Sequence, residues 1–243
     1  MLGGQGAFPT AAAGCSGYVV SGSAGHLLLD PGWGTFRELL GVLAPREVDA
    51  VVVTHGHPDH CADLLPLLRA RTMEDDRPSR PLPVFAPAGA VEPLLLGEPV
   101  RSAVDAIVLD VVADRETRSV AGFDLVFADL PHHVPNLGVR VTDGSVAISY
   151  TGDAGPSPAT VDLARDVDLH LAEATHVEAD LHGNEGFLCD VATAVAQGVE
   201  AGARQIMLTH LWPGSDPAAA LAVAASRAPG RPVSVALPGT VWP

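Results

Sequence analysis

A chain of 243 residues, 47% hydrophobic and 18% charged, can bury a sizeable core, and its 25 glycines and 21 prolines make it turn-rich without suggesting a disordered polymer. Its 14 basic residues, all arginine, face 29 acidic ones for a net charge of −15, which argues against a long nucleic acid as partner, since such binding needs clustered cations to displace counterions. No apolar run approaches the ~18 residues of a membrane span, no signal-peptide pattern opens the sequence, and Cys15, Cys61 and Cys189 form no CxxC pair, so a cytoplasmic protein with reduced thiols and no membrane partner is expected.

In chain order, β-branched or alternating runs predict strands over 17–20, 26–30 and, most strongly, 48–54 around Val51-Val52-Val53. Helical spacing of leucines falls over 35–43 and again over 60–71, the latter despite Pro66. A strand over 83–86 and a helix over 89–96 follow, then strands over 104–112, 123–128, 137–141 and 146–150, with a hairpin turn at Asp143-Gly144. Beyond Asp153 the alternation resumes as helix 158–165, strand 167–172, helix 191–201, strand 205–209, helix 217–227 and strand 233–236. The polar segment 75–83 reads as a surface loop, and the densest arginine window, Arg69 to Arg80, is diluted by Glu74, Asp75 and Asp76. Two halves of mixed strands and helices, each with a histidine-bearing turn after a hydrophobic strand, predict two sheets packed face to face with helices outside.

The chemistry concentrates in Thr54-His55-Gly56-His57-Pro58-Asp59-His60, three imidazoles and a carboxylate directly after the strongest strand. Neutral imidazole and carboxylate are ligands that divalent zinc takes, and a turn can fold them inward where a straight strand would scatter them. In a chain of this composition such a string arises by chance about once in a thousand sequences. Four ligands this close would crowd one tetrahedral ion, so a two-metal site completed by later residues is expected. Ligand-type residues stand where three further hydrophobic runs stop: His132-His133 after Leu130-Pro131, Asp153 after Tyr150-Thr151-Gly152, and His210 after Leu208-Thr209.

With these residues, and with Gly6-Ala7-Phe8-Pro9-Thr10, Gly14-Cys15-Ser16-Gly17, His132 ahead of Gly138-Val139-Arg140, and Leu171-Ala172-Glu173-Ala174, the chain resembles the metallo-β-lactamase-fold hydrolases over nearly its whole length. Within them it is similar to the ribonuclease Z-like branch, which includes phosphodiesterases. The resemblance implies an α/β (α+β) fold, an αββα four-layer sandwich of two mixed β-sheets flanked by helices, as a single domain over 1–243. It also implies that His55, His57 and His132 hold one metal, that Asp59, His60 and His210 hold the other, and that Asp153 bridges them. The cofactor expected is two Zn²⁺, with Mn²⁺ or Fe²⁺ as alternatives. Ribonuclease Z proper carries a basic arm for transfer RNA, which this acidic chain lacks. The branch also places a histidine ahead of the penultimate helix to assist the leaving group; an ungapped match falls near Phe187-Leu188, whereas a short insertion brings His182 there.

The expected activity is therefore that of a dinuclear metal hydrolase whose metal-bridging hydroxide attacks a small phosphodiester, with Asp59 and His182 as catalytic residues. A lactonase, esterase or thioesterase acting on a small acyl substrate is the alternative, and a metal-binding protein without activity is a third reading. The expected partner is a small molecule, with a homodimer as the association state entertained. His26 and His170, within predicted strands, read as hydrogen-bonded or solvent-facing imidazoles. Glu173 reads equally as a group orienting a ligand or as a cap, His176 as cleft-lining or surface, and Gly14 to Gly17 as a weak phosphate-approach signal.

Overall fold

The computed structural model describes residues 1–73, 80–178 and 183–243. One sheet contains β1 (Tyr18–Gly22), β2 (Gly25–Leu29), β3 (Ala50–Val52), β4 (Leu82–Ala86) and β5 (Ile107–Val111) in that spatial order. β1 and β2 form an antiparallel hairpin, and β2 to β5 run parallel. The second sheet contains β6 (Thr117–Val120), β7 (Phe123–Leu130), β8 (Asn136–Thr142), β9 (Ala147–Tyr150), β10 (Leu169–Glu173), β11 (Gln205–Thr209) and β12 (Val233–Val235), again with neighbours in sequence adjacent in space. Its first four strands meander antiparallel, and β9 to β12 are parallel. The helices among the described residues, in chain order, are α1 (Thr35–Leu39), α2 (Pro58–Cys61), α3 (Leu64–Met73), α4 (Glu92–Leu96), α5 (Arg101–Asp105), α6 (Pro158–Leu163), α7 (Val191–Glu200) and α8 (Pro217–Arg227).

The central parallel strands β3 and β11 bury both faces, which is why they are apolar without a polar alternation. Leu27 and Leu29 of β2, Ala50 and Val52 of β3, and Met207 of β11 point into the core between the sheets with Phe127, Val139 and Leu171. Leu28, Val51 and Val53 face outward onto Leu64, Leu67 and Leu68 of α3 (Leu64–Met73), while Ile206 and Leu208 face Ala194 and Val195 of α7 (Val191–Glu200) and Ala220 and Ala224 of α8 (Pro217–Arg227). Each leucine so buried contributes roughly 1.5–3 kcal/mol. Helices thus cover the outer face of both sheets, giving the four layers expected. Asp190 and Asp216 start α7 and α8 by accepting from the backbone amides of Thr193 and Ala218.

The helix expected over 60–71 is two helices, a short one at Pro58–Cys61 and α3, so that Pro66 falls in the first turn of α3, where its missing N–H leaves no bond unmade. The strand expected over 104–112 begins as a helical turn, Arg101–Asp105, whose Ala103 and Val104 amides donate to the Val100 carbonyl. β6 is an unexpected edge strand whose polar Thr117, Arg118 and Ser119 carried no apolar signal. Arg71, from the basic window, is buried and donates to the carbonyls of Pro45, Val48 and Arg80, tying α3 to the segment that enters β3. No helix among the described residues is long and apolar enough to cross a membrane.

Candidate metal centre

Because β2 is parallel to β3, and β9 to β10 and β11, their carboxyl ends lie together at one edge of the sandwich. β7, two antiparallel steps from β9, ends at the same edge. The segments that leave these strands carry His55 to His60 after β3, His132 after β7, Asp153 after β9 and His210 after β11. Pro58 opens the short helix, with His57 as its N-cap residue in extended conformation, so Asp59 and His60 lie in the first turn, where the His60 ring sits 4.1 Å from that of His55 and Asp59 faces His210. His210 takes a left-handed φ of 59°, an orientation of the backbone that non-glycine residues adopt when the surroundings demand it.

Two groups of ligand-type atoms result, His55, His57, His132 and Asp153 in one and Asp59, His60, Asp153 and His210 in the other, each with its atoms within 4.8 Å of one another. Asp153 divides its oxygens between them. Oδ2 lies 3.9 Å from His55 Nε2 and 3.8 Å from His132 Nε2, whereas Oδ1 lies 3.1 Å from both His60 Nε2 and His210 Nε2. In the first group His57 Nδ1 is 3.1 Å from His55 Nε2 and 3.2 Å from His132 Nε2. In the second, Asp59 Oδ2 is 3.3 Å from His210 Nε2 and 3.7 Å from His60 Nε2. Ligands about 2.0–2.2 Å from a tetrahedral ion sit roughly 3.3–3.6 Å from one another, so both groups fit a zinc-sized cation.

The outer nitrogens settle which way the imidazoles face. His60 Nδ1 donates to Asp30 Oδ2 at 2.7 Å. The Thr54 hydroxyl also donates to Asp30, so His55 Nδ1, 3.1 Å from that hydroxyl, is the donor to it. Likewise the Thr175 hydroxyl donates to Glu173, which leaves His210 Nδ1, 2.9 Å away, to donate to Thr175. His132 Nδ1 donates to the Phe187 carbonyl at 3.0 Å. All four rings therefore turn Nε2 inward, and the buried His60 Nε2 and Asp153 Oδ1 make no hydrogen bond of acceptable geometry. Converging ring nitrogens and carboxylate oxygens with their far sides pinned are the arrangement a bound cation requires.

Charge follows the same division. Burial pushes His55, His57 and His132 down toward the neutral form that ligates. Burial acts the same way on His60 and His210, but the neighbouring carboxylates, Asp153 with Asp30 at His60 and Asp153 with Asp59 at His210, together outweigh it and push both up. Asp59 is pulled down to about 2, burial being overcome by His210 and His60, and Asp153 is held well below the carboxylate range by His210 and His60 against its burial. The second group therefore balances its two carboxylates with protons that a divalent ion would displace. His57 is only half-buried while the side chains of the other ligand-type residues, His132 included, are buried, so the centre opens beside His57. Exposed Phe8 and Trp212, packed edge to face, stand by the second group, and His133 stacks on Phe187 by the first.

All seven residues expected as metal ligands thus lie together, while His182 falls outside the described residues. His133 turns away to Asn184, as expected of the neighbour of His132, although both follow the strand rather than belonging to it. His176 stacks on Trp212 at the rim, His26 bonds Ser21, and His170 bonds Ser149 within the second sheet. Glu173 acts on His210 through Thr175 and also accepts from the Thr175 and Cys189 amides, so it both orients and caps. Gly14 packs against the backbone of Gly34 and Gly17 against Thr35, a close-packing role in place of phosphate approach. Asp30 and Thr175 carried no signal of their own, and near Phe187 it is a backbone carbonyl that meets the site.

Comparison with known proteins gives a match of residues 26–211 to the family model "Beta-lactamase superfamily domain". The chain is 28% identical over 214 residues to "Probable metallo-hydrolase YhfI" of Bacillus subtilis, a match covering 87% of this chain and 85% of that protein. The crystal structure of YhfI superposes with a TM-score of 0.88 at 26% identity, covering 99% of this chain and 96% of that one. It is also 30% identical over 260 residues to a ribonuclease Z of Kineococcus radiotolerans, covering 86% of this chain and 82% of the relative. The short form of human tRNase Z shares the fold, with a TM-score of 0.77 at 20% identity over 98% of this chain and 96% of that one.

Proposed function

The chain belongs to the β-lactamase superfamily of metal-dependent hydrolases, and from that premise we propose that it is a dinuclear enzyme, one domain over residues 1–243, that hydrolyses a small phosphodiester. The observation that carries the reading is the division of Asp153 between two ligand sets, with Oδ2 toward His55 and His132 and Oδ1 toward His60 and His210. A carboxylate so placed is suited to bridge two ions, and a donor set of imidazole and carboxylate without sulfur suits Zn²⁺, with Mn²⁺ or Fe²⁺ as substitutes. Two such ions would supply an activated water at neutral pH and positive charge for the transition state.

The chain's own groups do the rest. Asp30, Thr54, Thr175 and the Phe187 carbonyl hold the four Nε2 atoms on target. The Ala7 amide donates to Asp59 Oδ2 at 2.8 Å, fixing the carboxylate that we assign a catalytic as well as a ligand role. His182 is the residue we assign to protonate the leaving oxygen. Similarity to a protein named as a ribonuclease, an enzyme class that cleaves phosphodiesters, favours phosphorus over carbonyl chemistry. Small size is favoured by charge: the net is −15 without a lysine, and Arg69, Arg80, Arg118 and Arg204 are each paired with a carboxylate. Burial pushes the thiols of Cys15 and Cys61 up to about 12, and these unpaired, inert cysteines suit the reducing cytoplasm.

The test is elemental analysis of the purified protein followed by parallel assays on bis(p-nitrophenyl) phosphate and a lactone. About two ions per chain and diester hydrolysis that a chelator abolishes are expected. A stoichiometry that stays near one after zinc supplementation would remove the dinuclear centre, and turnover of the lactone alone would move the chemistry to acyl substrates.

A further inference from the structure

A cavity of about 370 Å³ lies between the two sheets, opening at the edge of the sandwich opposite the metal centre. Its position follows from strand direction: the walls include Phe123 at the start of β7, Ile148 in the first half of β9 and Leu169 at the start of β10, whereas the metal-centre residues follow the other ends of these strands. Side chains from the inner faces of both sheets line it, with Val20 and Leu29 on one side and Val141 and Leu171 on the other. At its inner end stands Tyr18, whose hydroxyl is engaged with Thr209 and whose ring meets Tyr150 edge-on at 5.0 Å. The deep part therefore offers no free hydrogen-bonding group.

Polar groups are confined to the mouth, where Ser21, Thr142, Thr240 and Asp143 stand beside exposed Val42 and Val241. No arginine lines the cavity. The Asp143 carboxylate accepts from the Ser145 and Val146 amides and from the Ser145 hydroxyl, bonds that hold it ionised. A space of this size and apolarity is too poor in partners to hold ordered water, and left empty it forfeits the contacts its lining could make. It falls within the volume range of small-molecule sites.

We propose that this cavity is a second ligand site, separate from the metal centre, for a neutral aliphatic molecule bearing a hydroxyl group: the chain lies between the sheets and the hydroxyl bonds to the polar groups of the mouth. An aliphatic anion of the same length is disfavoured, because the one cation among the lining groups, the Met1 ammonium, donates to the Thr240 carbonyl at 2.8 Å and is matched by the Asp143 carboxylate, which leaves the mouth no net positive charge to receive it.

The experiment uses the zinc-loaded full chain and the fluorescent probe N-phenyl-1-naphthylamine, with 1-decanol and decanoate as competitors. One saturable site per chain is expected, displaced by 1-decanol at a concentration at least about tenfold lower than by decanoate, a preference of about 1.4 kcal/mol. Ile148→Trp and Val20→Trp, which fill the cavity from opposite sheets at half-buried positions, should each weaken the probe at least about tenfold with metal content unchanged. The absence of a saturable site, equal displacement by the two competitors, or unchanged affinity in both filled variants would overturn the proposal. So would sedimentation showing that the wild-type mouth is covered by a second copy of the chain. Should either variant fail to fold, the competition on the wild-type protein still decides.

Discussion

Asp30 is the residue on which the second metal group turns, and replacing it by asparagine tests the whole arrangement. Its Oδ2 receives the Thr54 hydroxyl, the Tyr150 hydroxyl and His60 Nδ1, each at 2.7 Å, while Oδ1 receives the Thr54 amide at 2.7 Å. An asparagine offers one acceptor oxygen and one NH₂ group. With its oxygen toward the three donors, the NH₂ opposes the Thr54 amide; flipped, it opposes all three. The better orientation still loses one buried charge-assisted bond and leaves a donor unmatched, a cost of about 3 kcal/mol. The imidazole of His60 then loses the carboxylate that fixes its tautomer, and its ligand strength with it. Asp30→Asn should weaken the more affected ion by about 10- to 100-fold, an effect typical of groups that orient a ligand. His55 feels the change only through Thr54, so the ion held by His55, His57 and His132 should be less affected. Zinc competition with a chelating dye, read as two steps, measures both affinities, and urea denaturation of the metal-free protein measures the fold. Tyr150→Phe is the control, removing one donor to Asp30 at a cost of about 1 kcal/mol without moving His60. Metal affinity unchanged in Asp30→Asn while stability falls would reduce Asp30 to a packing role and refute the reasoning.

Asp153→Ala should release both ions on elemental analysis and His210→Ala chiefly one, since only Asp153 faces both groups; equal losses would deny the bridge. Gly6→Ala puts a methyl 2.8 Å from the His210 ring and should lower zinc content toward one per chain while circular dichroism stays that of the wild type. Hydrolysis of a small phosphodiester should not fall steeply along a salt series, whereas cleavage of a transfer-RNA precursor with a steep salt dependence would contradict the small-substrate reading. Burial pulls His170 down to about 4 from 6.5, so the unfolded chain takes up its proton first as pH falls. The neutral imidazole's contribution is present above pH 6.5 and lost toward pH 4, about 3 kcal/mol in all. His170→Gln should flatten urea-measured stability across that window by one proton's worth, and an unchanged slope would assign the acid sensitivity elsewhere.

How far the fold could be read in advance depended on where each element's information resides. β3 and β11 are buried on both faces, so their apolar runs announce them whatever lies around them. β6 is the opposite case, an edge strand recognisable only because β7 lies beside it to supply bonds at Arg118 and Ser119. Val104 looks like a strand residue by its branching, yet the amide geometry at Val100 makes it helical. Propensity decides where burial is unambiguous and yields to tertiary bonding elsewhere.

The candidate site divides along the same line. His55, His57, Asp59 and His60 were legible together because one turn holds all four, so their proximity in space is already proximity in sequence. His132, Asp153 and His210 could be read because each stands where a strand stops, and β7, β9 and β11 all run the same way, the first through two antiparallel steps, so these endings share one edge. The orienting residues follow no such rule. Asp30 reaches His60 and Thr54 only because β2 pairs with β3, and Thr175 reaches His210 only because β10 pairs with β11, facts of sheet order that no local pattern records. The same two adjacencies place the groups that hold the imidazoles, whose loss weakens a bound ion by about 10- to 100-fold where loss of a ligand releases it. A lone pair turned even 30° from the ion weakens the bond it is there to make, and only the far-side hydrogen bonds prevent that rotation.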